Sequence, residues 1–306
     1  MISVIVLGAG AGGGFPQWNS AAPGCARARA GDPTALPRTQ ASVAISADSQ
    51  NWFLLNAAPD MRAQLDATPE LHPRRAPRHS PIAGVVLAGS EIDAVVGLLT
   101  LREAHAFTIT ATPTIFAHLD ANPMFAVLNR EIVRRQTLAL DTPAPLRLVD
   151  GTPAGLTVTA FAAPGKTPLY RERAGDQSAL PPDGNVGLDI TDGASRLVFL
   201  PGCARVDAAL RARLTGAAAL FFDGTLWRDD EMAIAGIAPR TGRDMGHMSV
   251  GGPDGVIARL HGVEIPNRVL IHINNTNPIL LSDSPEHAAV RQAGWLVGFD
   301  GMRFTL

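Results

Sequence analysis

Residues 218–224 read Ala-Ala-Leu-Phe-Phe-Asp-Gly, and residues 269–273 read Val-Leu-Ile-His-Ile. Each apolar run predicts a buried strand, and each carries one polar side chain. A carboxylate at the C-terminal end of a buried strand, as at Asp223, is a candidate ligand or base. It is equally the first half of an Asp-Gly turn. A histidine inside an apolar strand, as at His272, is often a satisfied core residue. The amides that follow, Asn274-Asn275-Thr276-Asn277, suggest a pinned polar edge and favour a ligand or catalytic role.

Working outward, further strands are predicted over 2–7, 41–45, 52–56, 82–87, 156–161, 186–190 and 197–200. Helices are predicted over 60–65, 93–105, 121–135, 206–214 and 253–260, and after Ser284, with Pro285 at the first helical position. A hairpin is expected at the end, 295–299 and 302–306, turning at Asp300-Gly301. Residues 20–40, 68–81, 164–185 and 228–246 read as loops, the third a candidate lid. Hairpins mixed with strand–helix alternation imply sheets with both antiparallel and parallel pairs, covered by helices. No repeat or linker divides residues 1–306, so a single α/β domain is expected.

Composition narrows the function. The net charge of −2 and an aromatic content of 5% exclude a nucleic-acid or anionic-lipid footprint. No apolar run approaches the roughly 18 residues of a membrane span. With two cysteines, Cys25 and Cys203, and no signal-peptide pattern, a cytoplasmic protein with reduced thiols is expected. Among 26 basic residues, Lys166 is the sole lysine, which singles it out as a compact, tunable ammonium.

Several strand ends carry reactive side chains. Gly8-Ala9-Gly10-Ala11-Gly12-Gly13 matches a dinucleotide fingerprint, but Phe15-Pro16 stands where its helix should run. A turn that lets the backbone pass close to another element is preferred. Glu91 and Asp93, between a strand and a helix, either cap that helix or converge on a site. Lys166 and Cys203 follow strands in Ala163-Pro164-Gly165-Lys166 and Leu200-Pro201-Gly202-Cys203, and His247 precedes a helix. Together they describe one rim.

These segments resemble the pyrroloquinoline quinone (PQQ) biosynthesis protein B family. The resemblance rests on Gly12-Gly13-Gly14-Phe15-Pro16-Gln17-Trp18-Asn19, Ala121-Asn122-Pro123, Ala163–Lys166, Phe221–Met232, Gly246-His247-Met248-Ser249, His272–Pro278 and Asp300-Gly301-Met302. It spans essentially the whole chain. It implies a metallo-β-lactamase-like αββα four-layer sandwich. It further implies work on the redox cofactor PQQ, by hydroxylating tyrosine in a small peptide-derived precursor with iron and oxygen. An older proposal for the family is assistance to transport of PQQ or its precursor.

Two departures stand out. The family's zinc-binding Cys-x-Cys-x-x-Cys is here Ser20, Ala22 and Cys25, and one thiol cannot close a tetrahedral site, so no structural zinc is expected. The family's Asp-His pair is here Asp93-Ala94, so one imidazole ligand is gone. The expected metal ligands are Glu91, Asp93, Asp223 and His272, holding Fe(II) weakly. His247, Lys166 and Asp223 are the expected catalytic groups. Lys166, Asn274 and Asn275 are expected to hold PQQ or its precursor, with closure by Arg171 and Arg173. Expected partners are that precursor and other PQQ pathway proteins, with a homodimer left open. The rival reading is a binding protein without chemistry. A metal-dependent hydrolase is the third, disfavoured because a histidine cluster for two metals is missing.

Overall fold

The computed structural model describes every residue except Gln177. Its strands are β1 (Ser3–Gly8), β2 (Ser42–Ser46), β3 (Trp52–Leu55), β4 (Ile82–Val86), β5 (Phe107–Ala111), β6 (Val133–Thr137), β7 (Ala144–Arg147), β8 (Pro153–Ala162), β9 (Val186–Thr191), β10 (Arg196–Leu200), β11 (Ala219–Asp223), β12 (Asn267–Ile271), β13 (Leu296–Val297) and β14 (Arg303–Thr305). They form two seven-stranded sheets, in the orders β14-β1-β2-β3-β4-β5-β6 and β13-β12-β11-β10-β9-β8-β7. Both sheets are mixed: β3 through β6 and β10 through β13 run parallel, and the remaining neighbours are antiparallel.

The apolar runs are explained by burial on both faces. In β11, Ala219 and Phe221 face the core between the sheets. Their neighbours Leu220 and Phe222 face a second core, with Leu210 and Leu214 of helix Ala208–Leu214 and with Val290 of helix Pro285–Gln292. Side chains alternate across a strand, so a strand covered on both sides must be apolar throughout. On the first sheet, Ile115 and Phe116 of helix Pro113–Asp120 join the inter-sheet cluster. The result is an αββα sandwich of the metallo-β-lactamase type.

Several expectations fail. The helix over 121–135 is instead a short 3-10 turn at Pro123–Val127 followed by β6. As an edge strand, β6 keeps polar Arg134, Arg135 and Gln136 on a run that pairs only with β5. The helix over 93–105 shrinks to Ile92–Val95 plus a 3-10 turn at Val96–Leu99. There Gly97 lies so close to the preceding segment that a Cβ would meet the Ala58 carbonyl at 2.2 Å. The terminal hairpin does not form, because β13 joins the second sheet and β14 the first. Asp300 ties the crossing point by accepting from the backbone and hydroxyl of Thr39 at 2.7 Å each. Residues 20–40 contain helix Pro23–Arg29, and the expected lid contains helix Leu169–Arg173.

The glycine-rich segment stitches the sheets together rather than opening a helix. Gly10 donates to the Thr39 carbonyl at 2.7 Å, and Ala11 donates to the Ile273 carbonyl at 2.8 Å. At Gly8, a Cβ would lie 2.2 Å from the Gln40 carbonyl oxygen. Gly8→Ala is therefore expected to cost about 1–3 kcal/mol or more, the usual range for overpacking. Urea unfolding measures it, and a loss below about 0.5 kcal/mol would contradict the close approach.

Candidate metal and ligand site

C-terminal ends of parallel strands from both sheets, with the starts of the antiparallel β2 and β9, converge on one cavity of about 620 Å³. Its wall includes Glu91, Asp93, Lys166, His247, His272, Asn274 and Asn275, so the predicted rim assembles. Asp223 and Cys203 do not face the cavity. Both are fully buried beneath its floor. Cys203 contributes its backbone, and burial pushes its thiol up to about 12, which leaves it protonated and inert.

Asp223 organises the floor. Its Oδ1 accepts from the Thr225 backbone at 3.0 Å and the Thr225 hydroxyl at 2.6 Å. Its Oδ2 accepts from the Cys203 backbone at 2.8 Å and from His247 Nδ1 at 2.6 Å. Four donors fill the roughly four acceptor sites of a carboxylate. Burial would raise its pKa, but the neighbouring His247 and His272 and the Thr225 hydroxyl hold it below the usual range.

Proton accounting then fixes the two imidazoles. Asp223 is an acceptor only, so His247 carries its proton on Nδ1. Thr225 has one hydroxyl proton, and the carboxylate at 2.6 Å claims it. His272 Nδ1, 2.8 Å from the same hydroxyl, must therefore donate. Both rings thus engage Nδ1 in the floor, with Nε2 of His247 unengaged on the cavity side and Nε2 of His272 donating to Asp93, so that His272 carries both protons. They stack at 5.1 Å between centroids, 25° apart. His272 Nε2 lies 2.8 Å from Asp93 Oδ2. Burial disfavours charge on His272, yet Asp93, Asp223 and Glu91 outweigh it and raise its pKa.

The backbone is strained where the ring is presented. His272 has φ +56°, and Asn56 on the opposite sheet has φ +61°. Such conformations cost of order 1 kcal/mol for a non-glycine residue, and both residues line the cavity. At the other sheet, Glu91 occupies the helix N-cap without making a side-chain cap bond. The acids there serve the cavity and not the helix end. Burial, and secondarily the charge of Asp93, pushes Glu91 up to about 7.

The remaining predicted residues are placed as follows. Lys166 Nζ pairs with both Glu172 oxygens at 3.1 Å. Asn274 donates to the Thr276 hydroxyl at 2.6 Å, and Asn275 donates to Gln17 Oε1 at 2.5 Å. Arg173 lines the cavity, whereas Arg171 is held by Asp176 at 2.6 Å and does not line it. Cys25 Sγ lies 3.6 Å from Asn275 Oδ1. Sequence reasoning missed Thr225, Gln17, Tyr170 and Arg240. Thr225 sat in the quoted Asp-Gly-Thr block, but a hydroxyl carries no spacing signal of its own.

Behind the wall, Glu231 accepts from the Trp227 backbone at 2.7 Å and from the Thr276 hydroxyl. Burial raises its pKa from 4.5 to about 7. A carboxyl raised in the folded state stabilises below its unfolded pKa, and that contribution is lost as pH climbs through about 7. Glu231→Gln mimics the protonated acid, so it should gain on the parent as pH rises from 5 to 8, by roughly 2–3 kcal/mol. Thermal unfolding at the two pH values checks this. A variant whose deficit is the same at both would contradict it.

Comparison with known proteins follows the same lines. Residues 51–273 match the Beta-lactamase superfamily domain. The chain is 59% identical over 306 residues to coenzyme PQQ synthesis protein B of Gluconacetobacter diazotrophicus, covering all of both chains. It is 54% identical to the protein of that name from Gluconobacter oxydans, covering all of this chain and 99% of the other. The crystal structure of zinc-bound PqqB from Methylobacterium extorquens superposes with a TM-score of 0.93 at 47% identity, over 99% of this chain and all of that one. A diphosphatase of the PhnP family, at 16% identity and a TM-score of 0.67, covers all of this chain and 98% of its own and shares the fold. The chain belongs to the coenzyme PQQ synthesis protein B family, within the β-lactamase superfamily.

Proposed function

We propose that this protein acts in PQQ synthesis as a single domain spanning residues 1–306, hydroxylating a tyrosine ring in a small peptide-derived precursor with iron and oxygen. The names of its relatives support the pathway. The observation that carries the chemistry is the donor set. Asp223, His247 and His272 each present a ligand atom within 4.8 Å of the others, and Asp93 sits against His272 Nε2. Two imidazoles with a carboxylate is a set that suits non-haem iron.

Within that set, His272 and Asp93 would be the primary ligands, with Glu91 and His247 Nε2 in support. Asp223 would coordinate only by giving up one of its four hydrogen bonds, so its first role is to orient His247. This revises the expectation of Asp223 as a metal ligand, and adds a supporting ligand role to His247, which was expected only as a catalytic group. When bound, divalent iron would supply the one-electron chemistry needed to activate oxygen. Among the described residues, His247 Nε2 makes no hydrogen bond, so its lone pair is open to the metal or, when not so engaged, to a proton at the cavity. Lys166, Asn274 and Asn275 would hold the ligand, Lys166 by pairing with a carboxylate. We infer no zinc clamp at Ser20, Ala22 and Cys25, since a single thiol is present there and it is turned toward Asn275.

A second reading is favoured by one residue. Ala94 is buried at the cavity wall and brings no ligand atom where the family pattern has histidine. The pocket would then hold PQQ or its precursor without chemistry, in service of transport. No helix among the described residues is long and apolar enough to cross a membrane, and we place the protein in the cytoplasm, working with other proteins of the pathway.

Anaerobic calorimetric titration of metal-stripped protein with ferrous iron separates the readings. The hydroxylase reading predicts stoichiometric binding by the natural sequence, strengthened about tenfold or more in Ala94→His. Binding by the variant alone would sink it and leave the binding-protein reading.

A further inference from the structure

The cavity is lined by the acids Glu91 and Asp93 and the imidazoles His247 and His272, and also by three cations, Lys166, Arg173 and Arg240. Two of these cations are bridged by one acid. Glu172 holds Lys166 Nζ with both oxygens at 3.1 Å, and Arg240 Nη2 lies 3.8 Å from Glu172 Oε2. Glu172 belongs to helix Leu169–Arg173, whereas Arg240 lies on the separate loop 235–242. The lysine stem is fixed too. Gly246, at φ +81°, packs so closely that a Cβ there would sit 3.0 Å from Lys166 Cγ.

We propose that Lys166 and Arg240 form an anion subsite read by two carboxylates of one ligand, and that Glu172 is its built-in placeholder. Glu172 spans both cations as a ligand carboxylate would, so it neutralises them until displaced. A monoanion replacing one carboxylate for another gains little. A dianion can satisfy both cations and release Glu172 to solvent, which is 31% exposed already. Glu172 therefore sets a threshold for ligand charge, and its release frees the two segments it joins. The inference rests on the cavity being a ligand site and is independent of the reaction performed there.

The test uses metal-free, full-length protein at low ionic strength, titrated calorimetrically with glutarate and with pentanoate. The two differ by one carboxylate. The parent is expected to prefer glutarate. Glu172→Gln should raise glutarate affinity roughly five- to tenfold and pentanoate affinity less, as removal of a partly exposed counter-ion allows. Adding Arg240→Gln should cancel the gain. Asp244→Asn is the control, because Asp244 lies in the field of Lys166 and Arg240 without a hydrogen bond to either. It should change affinity less than twofold. Equal gains in Glu172→Gln and Asp244→Asn would show a diffuse field and overturn the placeholder. So would equal affinity for the two acids, a gain that survives Arg240→Gln, or no binding by any variant.

Discussion

One buried carboxylate sets the arrangement on which the site depends. Asp223 ends β11, an interior strand of the second sheet, fully out of solvent, with four donors on its two oxygens. An isolated charge there would be prohibitively costly. Full satisfaction makes it tolerable and also makes it rigid. Because Asp223 can only accept, it dictates which nitrogen of His247 is protonated. Because it claims the Thr225 hydroxyl proton, it dictates the same for His272 at one remove. The tautomers of both rings are decided by Asp223, beneath the cavity floor, and by Thr225 beside it.

The fold supplies the conditions for this. Parallel strands buried on both faces bring their C-terminal ends to one edge, where α/β sites form. The glycine-rich segment hydrogen-bonds to Thr39 on one side and to Ile273 on the other, so the wall of the first sheet is locked against the His272 segment. Two left-handed residues, Asn56 and His272, end strands on opposite sheets and line the same cavity. Their strain is borne by a core that fixes both strand ends.

Much of this was legible in the sequence. Apolar runs 218–222 and 269–273 announced doubly covered strands, and Asp223, His272, Glu91, Asp93 and Lys166 announced a rim. What remained hidden was relational. Polar Arg134–Gln136 concealed an edge strand because its backbone, not its side chains, carries the pairing with β5. Asp300-Gly301 looked like a hairpin turn because local chemistry cannot say that its two flanks belong to different sheets. The choice between capping and site at Glu91 and Asp93 depended on His272, 179 positions away in sequence from Asp93. Thr225 and Arg240 matter through their partners alone, which no spacing rule exposes.

The most direct test of the account is nitrogen-resolved NMR of the histidine rings in protein labelled with nitrogen-15, before and after addition of zinc as a diamagnetic probe. The account predicts that His247 and His272 both carry a proton on Nδ1 in the metal-free protein. It predicts that zinc shifts the Nε2 resonance of His272 and leaves both Nδ1 protons in place. A bare Nδ1 on His247, or zinc bound through Nδ1 of either ring, would contradict it.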